Sequence, residues 1–396
     1  MGPTTLLLLL ATAGRAGSDF EVRTLAGEPA VGAVRSLAAD GSLEVGDRTI
    51  APGEWYSVRR ANVPLPAWPR LPHAELNSGD RVVGTVAGGD GDAIRLRLGV
   101  PGRDEQVVRF PLSAVRAVWL TARPATDGEP EWLTGPRKRD LFLARNGDSA
   151  AGALTAIDPT ANAVHFQADG KDHRLELSKL AAIGFNTDLA RARRPKGPFY
   201  RLTLTDGTRL SAQAVAFDGR MWVATTLFKD AVQIPADQLV SVDVEQGKVA
   251  YLSDLRPAKY QYQTFDGEQY TWAADRCVTG RALTLRMADG ESTFDRGIGL
   301  HAECTVTYSL GGKYRRFEAL AGLDARSGTR GDAVLAVSVD GREQSLPAGG
   351  RLTGGAGGIA VRVDVTGAKE LTITVRRGAG GNVQDYVDLA EARLVP

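Results

Sequence analysis

The feature that most constrains this chain is an internal repeat that fills its first two thirds. Each copy opens with a turn glycine, followed five residues later by a small residue and seven residues later by an apolar or small one. The four triplets are Gly27, Gly32, Val34; Gly79, Gly84, Val86; Gly147, Gly152, Leu154; and a degraded Gly207, Ala212, Ala214. Self-similarity of this kind indicates that one supersecondary unit is used several times.

Each copy continues with a second turn, an alternating strand and a closing set of apolar residues. Asp40-Gly41, Asp90-Gly91 and Asp218-Gly219 are typical of tight β-hairpin turns. The closing residues stand at offsets zero, five and eight: Ile50, Trp55, Val58; Phe110, Val115, Val118; Leu175, Leu180, Ile183; and Ile234, Leu239, Val242. Because the four copies agree without a gap, they predict four β-rich units.

A period of about 60 residues leaves room for four or five short strands around one small hydrophobic core in each unit. The pattern resembles SH3-like or Sm-like barrels, in which a one-turn helix precedes the last strand. We predict barrel-like units at residues 18–62, 74–121, 139–186 and 198–246, separated by stiff, proline-rich linkers. A four-bladed propeller is the alternative, because four is the smallest blade number of that fold.

The first thirteen residues predict an export signal. An apolar run from Leu6 to Ala11 leads into Ala11-Thr12-Ala13, a small-x-small pattern that a signal peptidase cuts before Gly14. No lysine or arginine precedes the apolar run, so a tail without a targeting role is the alternative. We expect a signal peptide at residues 1–13 and a protein exported to the periplasm, the cell envelope or the medium.

Charge and motifs argue against several classes of function. Lysine and arginine number 48 against 47 acidic residues, a formal net charge of +1, so no nucleic-acid partner is expected. After the N-terminus no apolar run is long enough for a membrane-spanning helix. The chain lacks G-x-S-x-G, P-loop and H-E-x-x-H motifs, which predicts a protein that is not an enzyme. A carboxylate pair for glycoside hydrolysis leaves no sequence motif, so an enzyme in the repeat region is an alternative.

The C-terminal third has a different composition and an ordered set of motifs. Its aromatic residues crowd into one short span: Tyr251, Tyr260, Tyr262, Phe265, Tyr270 and Trp272. The motifs that follow are Arg296-Gly297-Ile298-Gly299-Leu300-His301-Ala302, Tyr308-Ser309-Leu310-Gly311, Ala321-Gly322-Leu323-Asp324 and Val337-Ser338-Val339-Asp340-Gly341. In this order they resemble the NPCBM family of carbohydrate-binding modules over residues 249–396. The resemblance implies a galactose-binding-like β-sandwich of the jelly-roll type, whose loops bind a sugar without hydrolysing it. The whole chain is therefore predicted to be all-β.

Sugar binding needs an aromatic face to stack on a pyranose and fixed polar groups for its hydroxyls. The candidate carbohydrate-binding residues are Trp272, Asp275, His301, Asp324, Arg326, Asp385 and Tyr386, with Tyr262 and Tyr270 as further aromatic platforms. Trp272 and His301 have an alternative as buried structural residues. The three aspartates have turn capping as the leading alternative, and a structural calcium ion at Asp324 and Asp385 is another.

The chain has two cysteines, Cys277 and Cys304, and neither belongs to a C-x-x-C pair, which argues against a zinc site. A Cys277–Cys304 disulfide is one interpretation, and free buried thiols are the other.

Together these features predict an exported, non-catalytic protein that binds a cell-surface or environmental glycan. The first alternative is an envelope scaffold whose sandwich binds proteins instead of sugar.

Overall fold

A computed structural model describes residues 19–99, 105–124, 129–191, 195–264, 267–326 and 328–396. The predicted signal peptide, residues 1–13, lies outside them, as do Arg193 and Arg194. The described residues form 35 strands, one four-residue α-helix, α1 (Glu131–Thr134), and five short 3-10 helices. The 3-10 helices are Leu112–Ala114, Leu177–Lys179, Thr187–Leu189, Leu252–Asp254 and Pro347–Gly350. The all-β prediction is therefore confirmed, and no helix in the described ranges is long and apolar enough to cross a membrane.

The four repeats supply the first 21 strands. The first repeat has β1 (Asp19–Thr24), β2 (Ala30–Leu37), β3 (Leu43–Val45), β4 (Arg48–Ile50) and β5 (Trp55–Arg60). The second has β6 (His73–Leu76), β7 (Arg81–Val83), β8 (Thr85–Asp90), β9 (Ala93–Leu98), β10 (Gln106–Pro111) and β11 (Val115–Trp119). The third has β12 (Asp140–Ala144), β13 (Ser149–Asp158), β14 (Ala163–Ala168), β15 (Lys171–Glu176) and β16 (Leu180–Gly184). The fourth has β17 (Phe199–Leu204), β18 (Arg209–Phe217), β19 (Met221–Thr226), β20 (Ala231–Pro235) and β21 (Leu239–Glu245).

All four repeats share one strand order. The first strand of each repeat pairs with both the second strand and the last one, and all of these pairings are antiparallel. The closing apolar residues point into the core, and of the twelve only Leu175 is half-buried. Trp55 Nε1 donates to the carbonyl oxygen of Gly41, which ties the closing strand to the second turn.

The repeats pair with one another through their last strands. In β5 and β21 the partners are Val58 and Val242, and in β11 and β16 they are Val118 and Ile183. Each of these is the offset-eight residue of its repeat, so the first repeat joins the fourth and the second joins the third through equivalent positions. The 21 strands form one hydrogen-bonded sheet over a continuous core. The blades of a propeller are separate sheets arranged around a central axis, whereas here the last strands of two repeats are hydrogen-bonded to each other. The repeats therefore do not form the propeller alternative.

The C-terminal residues form two antiparallel sheets that face each other. The strands of this region are β22 (Ala250–Tyr251), β23 (Lys259–Tyr262), β24 (Ala273–Ala274), β25 (Leu283–Met287), β26 (Gly290–Phe294), β27 (Gly297–His301), β28 (Cys304–Ser309), β29 (Arg316–Leu323), β30 (Asp332–Val339), β31 (Arg342–Glu343), β32 (Arg351–Thr353), β33 (Ile359–Asp364), β34 (Glu370–Arg377) and β35 (Tyr386–Val395). Of these, β25 and β26 pair with each other as a separate two-stranded sheet. One sheet has the order β24-β27-β35-β29-β33, with β22 on β35. The other has the order β23-β28-β34-β30-β31, with β32 on β30. Alternating residues of both sheets, such as Phe317, Val337 and Ile373, fill the core between them.

The first proline-rich linker packs between the repeats and the sandwich instead of holding domains apart. The amide of Leu65 donates to Ser292 Oγ at 3.0 Å, and Trp68 Nε1 donates to Asp295 Oδ1 at 2.7 Å. Arg209 of the fourth repeat is fully buried and donates to Asp295 Oδ2 and to the carbonyl oxygen of Pro66. The expectation of spaced small domains is wrong here, because these polar contacts and the apolar cluster around Leu65 fasten the repeats to the sandwich.

Candidate functional site

Four aromatic side chains meet at one end of the sandwich. His301 ends β27 and pairs with Tyr386, which begins β35, and Tyr262 ends the edge strand β23 of the facing sheet. The ring of Tyr270 stacks on that of His301, with centroids 4.1 Å apart and planes 17° apart. Tyr386 lies 5.1 Å from His301 and 6.0 Å from Tyr270. We call Tyr262, Tyr270, His301 and Tyr386 the aromatic cluster.

His301 is the buried base of this cluster. Its side chain is 2% exposed, and Nδ1 lies 2.6 Å from the carbonyl oxygen of Ala302. A carbonyl oxygen only accepts, so Nδ1 carries the proton in this contact. The imidazole therefore holds the face of Tyr270 in place, which agrees with the buried alternative for His301 and leaves the half-buried tyrosines as the rings nearer to solvent.

Hydrogen bonds fix Tyr270 from two sides. Its hydroxyl donates to Glu268 Oε2 at 2.6 Å, and its carbonyl oxygen accepts from the hydroxyl of Tyr260 at 3.0 Å. The bond to Glu268 and burial raise the pKa of Tyr270 well above its usual value. Tyr270 is therefore a neutral phenol in a fixed position, which is the arrangement that stacking on a sugar ring requires.

Polar groups surround the cluster on the loop before β35. Asp385 is buried, accepts from the amide of Asp332 at 2.8 Å, and its carbonyl oxygen accepts from the amide of Ala302. Burial, followed by the nearby charges of Asp332 and Glu303, raises the pKa of Asp385 to about 6. Oδ2 of Asp385 has no hydrogen-bond partner among the described residues. This oxygen is enclosed, so the carboxylate of Asp385 fixes the neighbouring loop through its bond to the amide of Asp332.

The ring contacts of the aromatic cluster do not include the other predicted site residues that the structure describes. Asp275 accepts from Arg296 Nη1 at 2.7 Å and from the amide of Gly297, at the opposite end of β27 from His301. Trp272 is half-buried and packs against the sandwich core, in line with its structural alternative. Arg326 is exposed and lines a separate groove. The structure thus brings His301, Asp385 and Tyr386 of the predicted set together. It leaves the carboxylates of Asp275 and Asp324 on other partners, although the amide of Asp324 donates to the carbonyl oxygen of Tyr386 at 2.9 Å.

Asp324 belongs to a buried group with Cys277 and Asp388. Ligand-type atoms of the three lie within 4.8 Å of one another, and burial raises the pKa of Asp388 well above its usual value. Asp324 Oδ1 also accepts from the amide of Arg326 at 3.0 Å, which is the turn capping expected from the sequence. Cys277 and Cys304 are both free and buried, so the structure does not form the disulfide. Cys304 lies on β28 in the other sheet, paired with Val375.

Sequence reasoning missed several residues around the site. Glu268 could have been found from its position two residues before Tyr270, but no motif marks it. Asp332 is brought to Asp385 only by the fold.

A β-sandwich with aromatic and carboxylate groups at one loop end has the architecture of a carbohydrate-binding module. Residues 248–395 match the NPCBM/NEW2 domain, which confirms the family resemblance of this part of the chain.

Among curated proteins, "Putative endo-alpha-N-acetylgalactosaminidase" of Renibacterium salmoninarum is 30% identical over 106 residues. The match covers 27% of this chain and 7% of that protein, so the chain spans a small fraction of the relative's length.

Two solved structures of carbohydrate-binding modules are similar to this chain. The CBM51 module of Clostridium perfringens GH95 in complex with methyl-galactose is 25% identical with a TM-score of 0.34, covering 37% of this chain and 99% of that one. The CBM51-2 and INT domains of Clostridium perfringens ZmpB, with GlcNAc, are 21% identical with a TM-score of 0.34, covering 46% of this chain and 43% of that one.

Proposed function

We propose that this chain is an exported, non-catalytic protein that binds a glycan through the loop end of its C-terminal sandwich. The observation that carries the proposal is the aromatic cluster, in which Tyr270 is held by stacking on His301 and by its bond to Glu268. The NPCBM/NEW2 match of residues 248–395 supports the carbohydrate-binding part. Export rests on the sequence pattern of residues 1–13 alone.

In this proposal Tyr270 and Tyr386 offer ring faces and edges to the C–H face of a pyranose. The carboxylate of Glu268, which already accepts from the hydroxyl of Tyr270, accepts hydrogen bonds from the hydroxyls of the sugar. Because His301 is buried and bonded to Ala302, it acts through Tyr270 and does not contact the sugar. Recognition of this kind uses a small number of fixed polar groups beside an apolar platform.

The enzyme alternative gains no support from the acidic groups where the fourth repeat meets the sandwich. Hydrolysis of a glycoside needs two carboxylates that face the substrate across open space. Here Glu245, Asp254 and Asp275 all lie on the guanidinium of Arg296. The positive charge stands between the carboxylates, so we propose an ion-pair network there and no hydrolytic role.

The test is binding of methyl-galactoside and GlcNAc to the full chain by isothermal titration calorimetry. We expect Tyr270→Ala to abolish binding and Tyr270→Phe to weaken it only by the loss of the hydroxyl contact with Glu268. Arg342→Gln, an exposed change on β31, is the matched control and should bind like the parent. Equal binding by Tyr270→Ala and the parent would refute the site. An absence of binding across a wide glycan panel would favour the envelope scaffold.

A further inference from the structure

The opening turn has the same backbone structure in all four repeats. In each copy the amide of the turn glycine donates to the carbonyl oxygen three residues earlier: Gly27 to Thr24, Gly79 to Leu76, Gly147 to Ala144 and Gly207 to Leu204. The four turns therefore present equivalent surfaces, and the contacts that cover one of them show what the same surface can bind in another.

The turns of the second and fourth repeats contact each other. Arg81 and Arg209 each stand two residues after their turn glycine, and the two are antiparallel β-bridge partners. A contact in which equivalent residues of two similar units are partners has approximate two-fold symmetry, like the interface of a symmetric dimer.

Two hydrogen bonds repeat this symmetry. The amide of Ser211 in the fourth repeat donates to Asp80 Oδ2 in the second at 2.8 Å. The amide of Val83 in the second repeat donates to Thr208 Oγ1 in the fourth at 3.0 Å. In both bonds the donor stands four residues after a turn glycine, and the acceptor stands one residue after the turn glycine of the other repeat.

The turn of the first repeat is covered by the sandwich. Arg316 Nη2 donates to the carbonyl oxygen of Thr24 at 3.5 Å, and a Cβ atom on Gly27 would lie 2.7 Å from Arg362 Nη2. Three of the four turns therefore lie against another part of the chain.

The turn of the third repeat is open. Residues 145–149 are all exposed, and a Cβ atom on Gly147 would meet no atom of the described residues within 4 Å beyond its chain neighbours. Asn146 Nδ2 donates to Asp148 Oδ2 at 2.7 Å, so these side chains bond within the turn.

A groove of about 540 Å³ with an apolar floor lies beside this turn. Phe142, Leu175 and Leu180 line it, together with Ala144 and Ala150. Leu175 is the one closing residue of the repeats that is only half-buried. The groove therefore leaves part of the core of the third repeat open to solvent.

The residues equivalent to Leu175 in the second and fourth repeats are covered by the contact between those repeats. The ring of Phe228 lies 6.3 Å from that of Phe110. Gln106 Nε2 donates at 2.6 Å to the carbonyl oxygen of Gln233, the neighbour of Ile234. Phe110 and Ile234 are fully buried, so the exposure of Leu175 reflects a missing cover.

The strand edge beside the groove has no partner among the described residues. Over residues 149–152, β13 pairs with β12 on one side, and its pairing with β14 lies beyond them. The amide of Ala144 donates to the carbonyl oxygen of Asp148, which puts Ser149 and Ala151 in the non-hydrogen-bonded pairs with β12. Their N–H and C=O groups therefore point outward, as an edge that another strand can join.

The rim of the groove carries equal numbers of both charges. Arg145 and Lys179 are basic, Asp148 and Glu176 are acidic, and all four are exposed. Glu176 and Lys179 pair with each other at 2.9 Å, an exposed contact that contributes little to stability. A rim of this kind complements its own copy across a two-fold axis.

We propose that the opening turn and groove of the third repeat bind the same surface of a second copy of the chain, forming a two-fold dimer. Ser149 lies at the axis, in the position that Arg81 and Arg209 hold within one chain. The amide of Ala151 donates to Asp148 of the partner subunit, and Leu175 becomes buried. The inference goes beyond the proposed function and does not depend on glycan binding.

Sedimentation velocity of the full chain over a range of concentrations tests the dimer. Asp148→Ala should raise the Kd of the dimer about tenfold or more, because each dimer loses two bonds to a charged acceptor. Leu175→Lys should abolish the dimer by burying an unpaired charge, and its circular dichroism reports whether it folds. Asp172→Ala is the matched control, since Asp172 is an exposed carboxylate of the same repeat that accepts from Gln167 and lies outside the groove.

Cross-linking tests the position of the axis. Partners on antiparallel strands have Cα atoms about 4.5–5.5 Å apart, which suits a disulfide. With copper(II)–phenanthroline as oxidant, the two thiols of a Ser149→Cys dimer should join in one disulfide, seen as a species of doubled mass that dithiothreitol removes. Thr160→Cys, in an exposed turn of the same repeat, should not cross-link, and the native cysteines are buried.

A chain that stays monomeric at every concentration, with no cross-link in Ser149→Cys, would overturn the proposal. Slower alkylation of Ser149→Cys than of Thr160→Cys would then assign the groove to another segment of the same chain, and equal alkylation would leave it to a different protein. A dimer that Asp148→Ala does not weaken, or that Thr160→Cys cross-links as well as Ser149→Cys, would place the contact elsewhere and would also reject it.

Discussion

Arg209 is a fully buried connection between the repeats and the sandwich, and replacing it with methionine tests how the two are held together. Its guanidinium is fully buried and donates to Asp295, to Gly207 O at 3.0 Å and to Pro66 O at 2.7 Å. Methionine keeps much of the side-chain volume but leaves the mostly buried carboxylate of Asp295 without its nearest positive charge. Removing one partner of a buried ion pair costs about 3–5 kcal/mol, and we expect a loss of that size for Arg209→Met.

The pH dependence of this loss follows from the pKa of Asp295. Burial alone would raise that pKa, but Arg209 and Arg201 outweigh burial and hold it below its usual value of 3.8. A lowered folded-state pKa contributes stability above the unfolded-state value, and this contribution is lost as the pH falls through the folded-state pKa. The difference in stability between the parent and Arg209→Met should therefore be largest near neutral pH and shrink toward pH 3.

Urea unfolding followed by tryptophan fluorescence measures both effects, because Trp68 lies at this junction. The double variant Arg209→Met, Asp295→Asn is the matched control, since asparagine keeps an acceptor for Trp68 Nε1 and removes the unpaired charge. It should be more stable than Arg209→Met alone, which a double-mutant cycle reports as coupling. A loss for Arg209→Met within about 0.5 kcal/mol of zero, or a double variant no more stable than the single one, would refute the reasoning.

Three further predictions concern other parts of the chain. Ile183→Ala should lower the free energy of unfolding in urea by about 2–4 kcal/mol, because Ile183 is fully buried opposite Val118 where the second and third repeats join. A loss below about 1 kcal/mol would argue against that pairing. Burial raises the folded-state pKa of Glu245 from 4.5 to about 7, so the stability that this group contributes is present below pH 4.5 and is lost as the pH rises through 7. In Glu245→Gln the free energy of unfolding should therefore decline less over this pH range. Parallel plots of unfolding free energy against pH for the parent and the variant would contradict this prediction. Ellman's reagent should react with two thiols per chain in denaturant and with almost none in the native protein, because both cysteines are free and buried. A denatured chain with no reactive thiol would instead favour the Cys277–Cys304 disulfide.

The repeat could be predicted from sequence because its signals are local. A turn glycine, a hairpin dipeptide and apolar residues at fixed offsets each act within a few residues of the chain, and eleven of the twelve closing residues are buried as their spacing implies. The pairing of the first repeat with the fourth is not local. Nothing in the spacing of Val58 distinguishes Val242 from Val118 as its partner, since all three hold the same position in their repeats.

The site was predicted in part for the same reason. His301 was found through its motif and Tyr386 as a candidate aromatic platform, and the pairing of β27 with β35 puts them together. Asp275 was a candidate because a loop carboxylate can accept sugar hydroxyls. It lies at the other end of β27 from His301, and its carboxylate instead pairs with Arg296. Asp332, whose amide donates to Asp385, comes from a separate segment without any motif, so only the fold could bring it to the site.

The way the repeats meet the sandwich bears on why the two occur in one chain. A spacer needs no buried charge, and charged groups at an interface cost stability unless each is paired. Here Arg209, Arg201 and Arg296 all lie at the junction, and each of the three is paired with a carboxylate. Paired charges of this kind favour one fixed arrangement of the repeats and the sandwich, because any other arrangement would leave a buried charge without its partner.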